Sequence, residues 1–236
     1  MPLRFNAVIF DLDGTLIDSL DDIADCANAV LAEGGFAPHP VDAYRFFIGD
    51  GMENLLRRAA PEGTDERVIR RLLEGMRERY GQNWARKTRP YEGVVPMLQR
   101  LIVLSLPLAV LSNKPCEFTD MTVRQFFPDI PFIRVLGSPP GGRAKPDPSL
   151  ALSIAGELGL KPDRVLFVGD SRTDMDTATA AGMFPAGALW GFRPAEELLA
   201  HGARVLLERP EQAASLAGEV QMSGSASFAS HCVRRN

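Results

Sequence analysis

The 236-residue chain has few cysteines and histidines, and this scarcity excludes several kinds of site. Its three cysteines, Cys26, Cys116 and Cys232, are widely spaced. We therefore expect neither a disulfide framework nor a Cys-x-x-Cys metal site, and this cysteine usage is typical of a reducing cytoplasm. The three histidines are equally scattered, so they offer no ligand set for zinc.

Long apolar runs and an excess of positive charge are also missing. No apolar run approaches the about 20 residues that span a bilayer, and the first residues lack the long apolar region of a signal peptide. A formal net charge of -4 gives no basic surface for nucleic acid. We therefore expect a cytoplasmic protein whose partner is a small molecule, with no nucleic-acid and no membrane partner. Composition leaves a monomer and a homodimer both open.

The sequence does have a short apolar segment that ends in two acids. Val8, Ile9 and Phe10 predict a strand buried on both faces, as in a parallel sheet covered by helices. If this strand continues through Asp13, its two-residue period puts the side chains of Asp11 and Asp13 on one face. Neighbouring carboxylates raise each other's pKa unless a cation or a proton lies between them. Because ligands of open α/β sheets bind beyond the carboxyl ends of the strands, the pair predicts a functional site there.

The hydrophobic pattern divides the chain into a helical block and an alternating block. Only helical patterns follow the first strand until about residue 88, and such a block cannot belong to the sheet. Strands and helices then alternate, as βαβ units require. We therefore expect an α/β fold, a Rossmann-like parallel sheet with helices on both faces and an inserted all-helical cap. The expected boundaries are 1–15 and 90–217 for the catalytic core, 16–89 for the cap and 218–236 for a poorly ordered tail.

Polar residues also lie at three later strand ends. They are Ser112-Asn113-Lys114, Ala144-Lys145-Pro146-Asp147-Pro148 and Gly169-Asp170-Ser171-Arg172-Thr173-Asp174. Each segment has a non-catalytic interpretation, because Ser-Asn pairs cap turns, loop lysines are usually exposed, and Ser171 with Asp174 forms a helix capping box. The Asp-x-Asp-Gly-Thr segment alone is equally typical of a turn. The order of all four segments, which contain two of the chain's four lysines, favours one shared site.

These four segments, beginning with Asp11-Leu12-Asp13-Gly14-Thr15-Leu16, resemble the signatures of the haloacid dehalogenase superfamily. The resemblance implies that Asp11 attacks phosphorus, that Asp13 acts as acid and base, and that Lys145 balances negative charge. It implies phosphate or substrate binding by Gly14, Thr15, Ser112, Asn113 and Lys114. It also implies a Mg²⁺ cofactor held by Asp11, the Asp13 backbone carbonyl and Asp170, which Asp174 and Ser171 would support from outside the ligand set.

Weaker similarities narrow the choice of subfamily and of substrate. The presence of Asp13 argues against dehalogenases, and the absence of a cap lysine before Lys87 argues against phosphonate hydrolases. The segments that are similar to phosphoglycolate phosphatases are Gly49-Asp50-Gly51, Arg89-Pro90-Tyr91-Glu92-Gly93, Ala181-Gly182-Met183 and Trp190-Gly191-Phe192-Arg193. The resemblance implies a Mg²⁺-dependent phosphatase that forms an aspartyl phosphate, with 2-phosphoglycolate as the leading substrate.

Several alternatives stay open from the sequence. An inorganic pyrophosphatase, a nucleotidase, a β-phosphoglucomutase-like isomerase and a non-catalytic binding module would share the scaffold. Arg45, Arg57 and Arg58 of the cap are candidates for contacting a substrate carboxylate, although exposed arginines mostly contact only solvent.

Overall fold

The computed structural model describes residues 5–139 and 141–218, and a parallel sheet lies at its centre. The strands are β1 (Ala7–Phe10), β2 (Ile17–Asp18), β3 (Arg89–Pro90), β4 (Leu108–Pro115), β5 (Phe132–Ser138), β6 (Val165–Gly169), β7 (Phe184–Ala188) and β8 (Val205–Leu207). The central sheet has the order β5-β4-β1-β6-β7-β8, and every neighbouring pair in it is parallel. The predicted tail lies, apart from residue 218, outside the described residues.

Helices cover both faces of this sheet. The helices are α1 (Leu20–Glu33), α2 (Tyr44–Phe47), α3 (Met52–Ala59), α4 (Glu66–Asn83), α5 (Val94–Val103), α6 (Cys116–Phe126), α7 (Ser149–Glu157), α8 (Arg172–Ala180), α9 (Ala195–Ala200) and α10 (Glu211–Gly218), of which α5 to α10 flank the sheet. Alternation along β1 feeds two hydrophobic cores: Val8 and Phe10 pack with α5 and α10, and Ala7 and Ile9 pack with α7 and α8. The predicted α/β fold is confirmed. Among the described residues, no helix is both long and apolar enough to cross a membrane.

Strand β1 ends earlier than the sequence pattern suggests. It stops at Phe10 rather than continuing through Asp13, because the chain turns at Gly14, whose φ is +85°. The N–H of Leu16 donates to the Leu12 carbonyl at 2.9 Å, and the N–H of Gly14 donates to the Ile17 carbonyl at 2.9 Å. A turn, and not the two-residue period of a strand, therefore orients the two acids.

Helices α1 to α4, here called the helical layer, pack in a hydrophobic cluster that includes Leu31, Leu56 and Tyr80, and Phe118 and Phe192 join it from outside the layer. The chain enters this layer through β2 and leaves it through β3, and these two short strands pair antiparallel. The buried Asp22 carboxylate accepts hydrogen bonds from the backbone N–H groups of Lys87 and Thr88, which fixes the exit next to α1. That residues 16–89 act as a separate cap domain stays a prediction.

Candidate active site

Asp11 lies directly beyond the carboxyl end of the central strand β1. Its Oδ1 accepts a hydrogen bond from the Leu12 N–H at 2.7 Å and lies 2.8 Å from Lys145 Nζ. Its Oδ2 has no hydrogen-bond donor among the described residues. Burial, followed by the nearby Asp174 carboxylate, raises the pKa of Asp11 to about 7, although Lys145 opposes this shift. The carboxyl group thus has one anchored oxygen and one free oxygen.

Lys145 links Asp11 to Asp174. Its Nζ lies 2.6 Å from Asp174 Oδ1, and the lysine is 4% exposed. Burial alone would lower the pKa of Lys145, but the carboxylates of Asp11 and Asp174 outweigh it and hold that pKa above its usual value. Asp174 Oδ2 accepts hydrogen bonds from the Ser171 N–H at 3.0 Å and the Ser171 hydroxyl at 2.7 Å. The capping box is therefore real, and the same residue also balances the lysine.

Asp170 follows β6 and is held by two donors from other parts of the chain. Its Oδ1 accepts a hydrogen bond from the Thr15 hydroxyl at 2.8 Å, and its Oδ2 accepts one from the Phe192 N–H at 2.8 Å. Burial, followed by Asp174 and Asp11, raises the pKa of Asp170 well above its usual value. A Cβ at Gly14 would overlap this carboxylate, so the chain approaches Asp170 as closely as it does only because residue 14 is glycine.

The carboxylates of Asp11, Asp170 and Asp174 form a cluster that fits a divalent cation. One oxygen from each lies within 4.8 Å of the others, and all three residues are buried. Lys145 supplies one positive charge against these three acids, and burial, followed by the negative charge of the neighbouring acids, raises the pKa values of Asp11 and Asp170. Oxygen donors of this kind suit a hard cation. Asp174 was predicted to lie outside the ligand set, whereas its carboxylate lies within the cluster.

The carboxylate of Asp13 faces a different set of partners. Its Oδ1 accepts hydrogen bonds from the Ser19 hydroxyl at 2.6 Å and from Lys114 Nζ at 2.8 Å, and Lys114 Nζ also donates to the Tyr80 hydroxyl at 2.7 Å. Lys114 was predicted to bind phosphate or substrate, and here its ammonium lies between Asp13 and Tyr80. Ser19 and Tyr80 were missed by the sequence analysis. A buried aromatic residue at helical spacing gives no signal beyond hydrophobic packing.

Asn113 connects three parts of the site through its side-chain amide. Its Nδ2 donates to the carbonyls of Lys145 and Gly49, both at 2.9 Å, and its Oδ1 accepts the Lys145 N–H at 2.8 Å. Asn113 was predicted to bind phosphate or substrate. The amide has a second role, because it fixes the backbone on which the buried lysine is mounted.

A cavity of about 60 Å³ lies between the strand ends and the helical layer. Its polar wall consists of Asp11, Asp13, Ser112, Asn113 and Lys114. The side chains of the opposite wall, which belong to the helical layer, are Ile23, Ile48, Met52, Leu55, Met76 and Tyr80. Gly14 and Thr15, which were predicted to bind phosphate or substrate, do not line this cavity but contact or approach Asp170 instead.

The arginines of the helical layer that were candidates for a substrate carboxylate pair with other groups and do not line the cavity. Arg45 pairs with Asp42, Arg57 with Glu53 and Glu66, and Arg58 with Asp50. Each therefore already has an acidic partner within its own part of the chain.

Segment 46–51 joins the helical layer to the strand ends. Arg193 Nη2 donates to the carbonyl of Ile48 at 2.8 Å and to that of Phe46 at 3.2 Å. Asp50 accepts hydrogen bonds from Thr173 at 3.0 Å and from Arg172 at 3.2 Å. These contacts hold the apolar wall over the cavity, and sequence reasoning assigned no such role to Arg193 or Asp50.

Comparisons with known proteins agree with this geometry. Residues 8–188 match the model of the haloacid dehalogenase-like hydrolase family. The chain is 34% identical over 199 residues to a phosphoglycolate phosphatase of Haemophilus influenzae, covering 81% of this chain and 89% of that protein. It is 31% identical over 212 residues to the N-acetylmuramic acid 6-phosphate phosphatase of Pseudomonas aeruginosa, covering 89% of this chain and 93% of that protein.

A solved structure shows the same fold. The crystal structure of a protein from Lactobacillus delbrueckii subsp. bulgaricus, provisionally assigned as a phosphoglycolate phosphatase, superposes with a TM-score of 0.85 at 28% identity and covers 92% of this chain and all of that one. The relatives and the family model together identify a phosphoric monoester hydrolase that acts on small phosphate esters. The chain belongs to the haloacid dehalogenase-like hydrolase family.

Proposed function

We propose that the protein hydrolyses small phosphomonoesters through an aspartyl phosphate on Asp11, with Mg²⁺ as cofactor and 2-phosphoglycolate as the leading substrate. The observation that carries this proposal is the state of the Asp11 carboxyl group. One oxygen is anchored by Leu12 and Lys145 while the other has no donor among the described residues, and the residue lines the cavity. A carboxylate held in this way is pre-positioned to attack a phosphorus atom.

In the first step, Asp11 Oδ2 forms a bond to phosphorus while the bond between phosphorus and the ester oxygen breaks. The leaving oxygen takes its proton from Asp13, whose carboxyl group also lines the cavity and is positioned by Ser19 and Lys114. In the second step, the Asp13 carboxylate takes a proton from a water molecule that attacks the phosphorus, and phosphate leaves as the Asp11 carboxylate is regenerated.

Asp11 and Asp170 would hold the magnesium ion, together with the predicted backbone carbonyl of Asp13, and Asp174 lies in the same carboxylate cluster. When bound, the ion would neutralise negative charge on the phosphoryl oxygens and on the surrounding carboxylates. Lys145 adds a second positive charge beside Asp11. Ser112, buried at the polar wall, is placed to donate its hydroxyl to a phosphoryl oxygen.

The size of the cavity favours a small leaving group. A cavity needs a volume of about 10–15 Å³ to hold one water molecule. A cavity of about 60 Å³ therefore has room for a group of only a few atoms beside the reacting centre. We therefore expect the site to accept glycolate as a leaving group more readily than the amino sugar in the name of the Pseudomonas aeruginosa relative. The names of several relatives also point to phosphoglycolate.

The test is steady-state release of phosphate with Mg²⁺ from 2-phosphoglycolate, pyrophosphate, nucleoside monophosphates and hexose phosphates. We compare the wild type with Asp11→Asn, which keeps the shape of the side chain, and with the exposed Asp163→Asn as a matched control. The expected result is fastest turnover of 2-phosphoglycolate, loss of turnover only in Asp11→Asn, and a phosphorylated Asp11 peptide after acid quench of the wild type. Full turnover in Asp11→Asn would refute Asp11 as nucleophile, and absence of release from every ester would favour a binding module.

A further inference from the structure

Tyr80 is a polar exception in the apolar wall of the cavity. The residue is 1% exposed, and its hydroxyl accepts a hydrogen bond from Lys114 Nζ at 2.7 Å. The hydrogen of this hydroxyl has no acceptor among the described residues. A buried donor without a partner costs free energy, so the hydroxyl is suited to donate to an oxygen that enters the cavity.

Among the residues that the structure describes, Lys114 is the one cationic side chain that lines the cavity. Lys145 instead contacts Asp11 and Asp174, and Arg45, Arg57 and Arg58 of the helical layer pair with other acids. Lys114 Nζ lies 2.8 Å and 3.0 Å from the two oxygens of Asp13. Because both of these oxygens belong to one carboxylate, a single shared N–H can serve them, which leaves one donor of the ammonium group besides that given to Tyr80.

We propose that Lys114 Nζ and the Tyr80 hydroxyl form the subsite for a carboxylate on the leaving group of the substrate. This inference rests on the proposed phosphatase function and adds to it the residues that select the substrate. Two donors only 2.7 Å apart match the two oxygens of one carboxylate. Asp13, which contacts Lys114, would lie next to the ester oxygen, and the apolar side chains Ile23, Leu55 and Met76 would surround the methylene group.

The test compares two substrates that differ in this carboxylate, 2-phosphoglycolate and ethyl phosphate, in wild type, Tyr80→Phe and Lys114→Met. Since a charged hydrogen bond in a buried site changes an equilibrium by about 10- to 100-fold, we expect the wild type to prefer 2-phosphoglycolate in kcat/KM by at least this factor. Tyr80→Phe should reduce the preference about tenfold, and Lys114→Met should abolish it. Misplacement of Asp13 would slow both substrates equally and would leave the ratio unchanged.

The exposed Lys161→Met is the matched control and should keep the wild-type ratio. If Lys114→Met does not fold by circular dichroism, Tyr80→Phe decides the question, because it removes one oxygen and retains the buried lysine. Hydrolysis of both substrates with a ratio that no variant changes, or with no preference in the wild type, would overturn the carboxylate subsite alone. Absence of hydrolysis of either substrate would overturn the proposed function and this subsite with it.

Discussion

Replacing Lys145 with methionine tests whether this lysine balances the charge of the carboxylate cluster. Its Nζ lies 2.8 Å from Asp11 and 2.6 Å from Asp174, and its side chain is 1% exposed. Removal of one partner from a buried ion pair leaves a buried charge uncompensated and costs about 3–5 kcal/mol. We therefore expect the free energy of unfolding of metal-free Lys145→Met at pH 8 to lie below that of the wild type by about this amount.

The loss should depend on pH, and the pKa of Asp11 gives the sign. Since this pKa is raised from 3.8 to about 7 on folding, the folded protein keeps a proton that the unfolded chain has released at intermediate pH. The free energy of unfolding of the metal-free wild type therefore falls as the pH rises from about 4 to about 7. Without Lys145 the pKa of Asp11 rises further, and each additional unit extends the fall by about 1.4 kcal/mol. The loss should thus be smaller at pH 5.5 than at pH 8.

Urea unfolding followed by circular dichroism, with EDTA present, measures this difference at both pH values. Exposed Lys161→Met is the control for loss of a lysine charge and should unfold like the wild type. Added Mg²⁺ should restore part of the stability of Lys145→Met at pH 8, because a cation in the cluster of Asp11, Asp170 and Asp174 offsets the same charges. An equal loss of unfolding free energy at both pH values would refute charge compensation by Lys145, because changed packing of the side chain would then explain the loss.

Two further substitutions test how the turn and the exit of the helical layer are held. In Gly14→Ala the new Cβ would lie 2.6 Å from Asp170 Cγ at a φ of +85°, so Asp170 must move, and we expect about a 100-fold loss of kcat/KM with 2-phosphoglycolate. Activity like that of the wild type would contradict this close approach. Asp22→Ala leaves the N–H groups of Lys87 and Thr88 without their acceptor and should cost about 1–3 kcal/mol for the buried Thr88 donor, which thermal unfolding measures. An unchanged melting temperature would show that water replaces the carboxylate.

The elements of the fold were largely predictable because their signals are local. The hydrophobic period predicted a helical block up to about residue 88 followed by alternating strands and helices, and the elements from β4 to α10 alternate in this way. Strand β4 continues beyond its apolar residues, from Leu111 through Pro115. The polar residues at positions 112–114 carry no hydrophobic pattern, and only pairing with β5, a contact distant in sequence, extends the strand there.

The candidate site also has a part that local sequence predicts and a part that it does not. Asp11, Lys145 and Asp170 follow from motifs at strand ends, because the topology of a parallel sheet brings such ends to one edge. The hydrogen bonds that hold the site residues in place do not follow from the sequence. The acceptor carbonyl of Gly49 for the Asn113 amide, and the Phe192 N–H that holds Asp170, arise from loops that are far apart along the chain.

The charged residues of the helical layer show a further limit. Arg45, Arg57 and Arg58 were candidates for binding a substrate carboxylate, and the structure pairs each with an acid instead. A long side chain reaches several possible partners, and the sequence does not state which of them folding brings nearest. Tyr80 shows the reverse error. Its position in the hydrophobic pattern of α4 indicates only a core residue, yet its side chain lines the cavity.

The pairing of β2 with β3 has a consequence for how such a protein can diversify. Ile17 lies opposite Pro90 and Asp18 opposite Arg89, so the two points where the chain departs from and rejoins the sheet are neighbours. A stretch of any length can be exchanged between two adjacent points without rethreading the strands that carry the acids. The apolar wall that the helical layer gives to the cavity can thereby change while the strand ends that carry Asp11 and Asp170 are preserved.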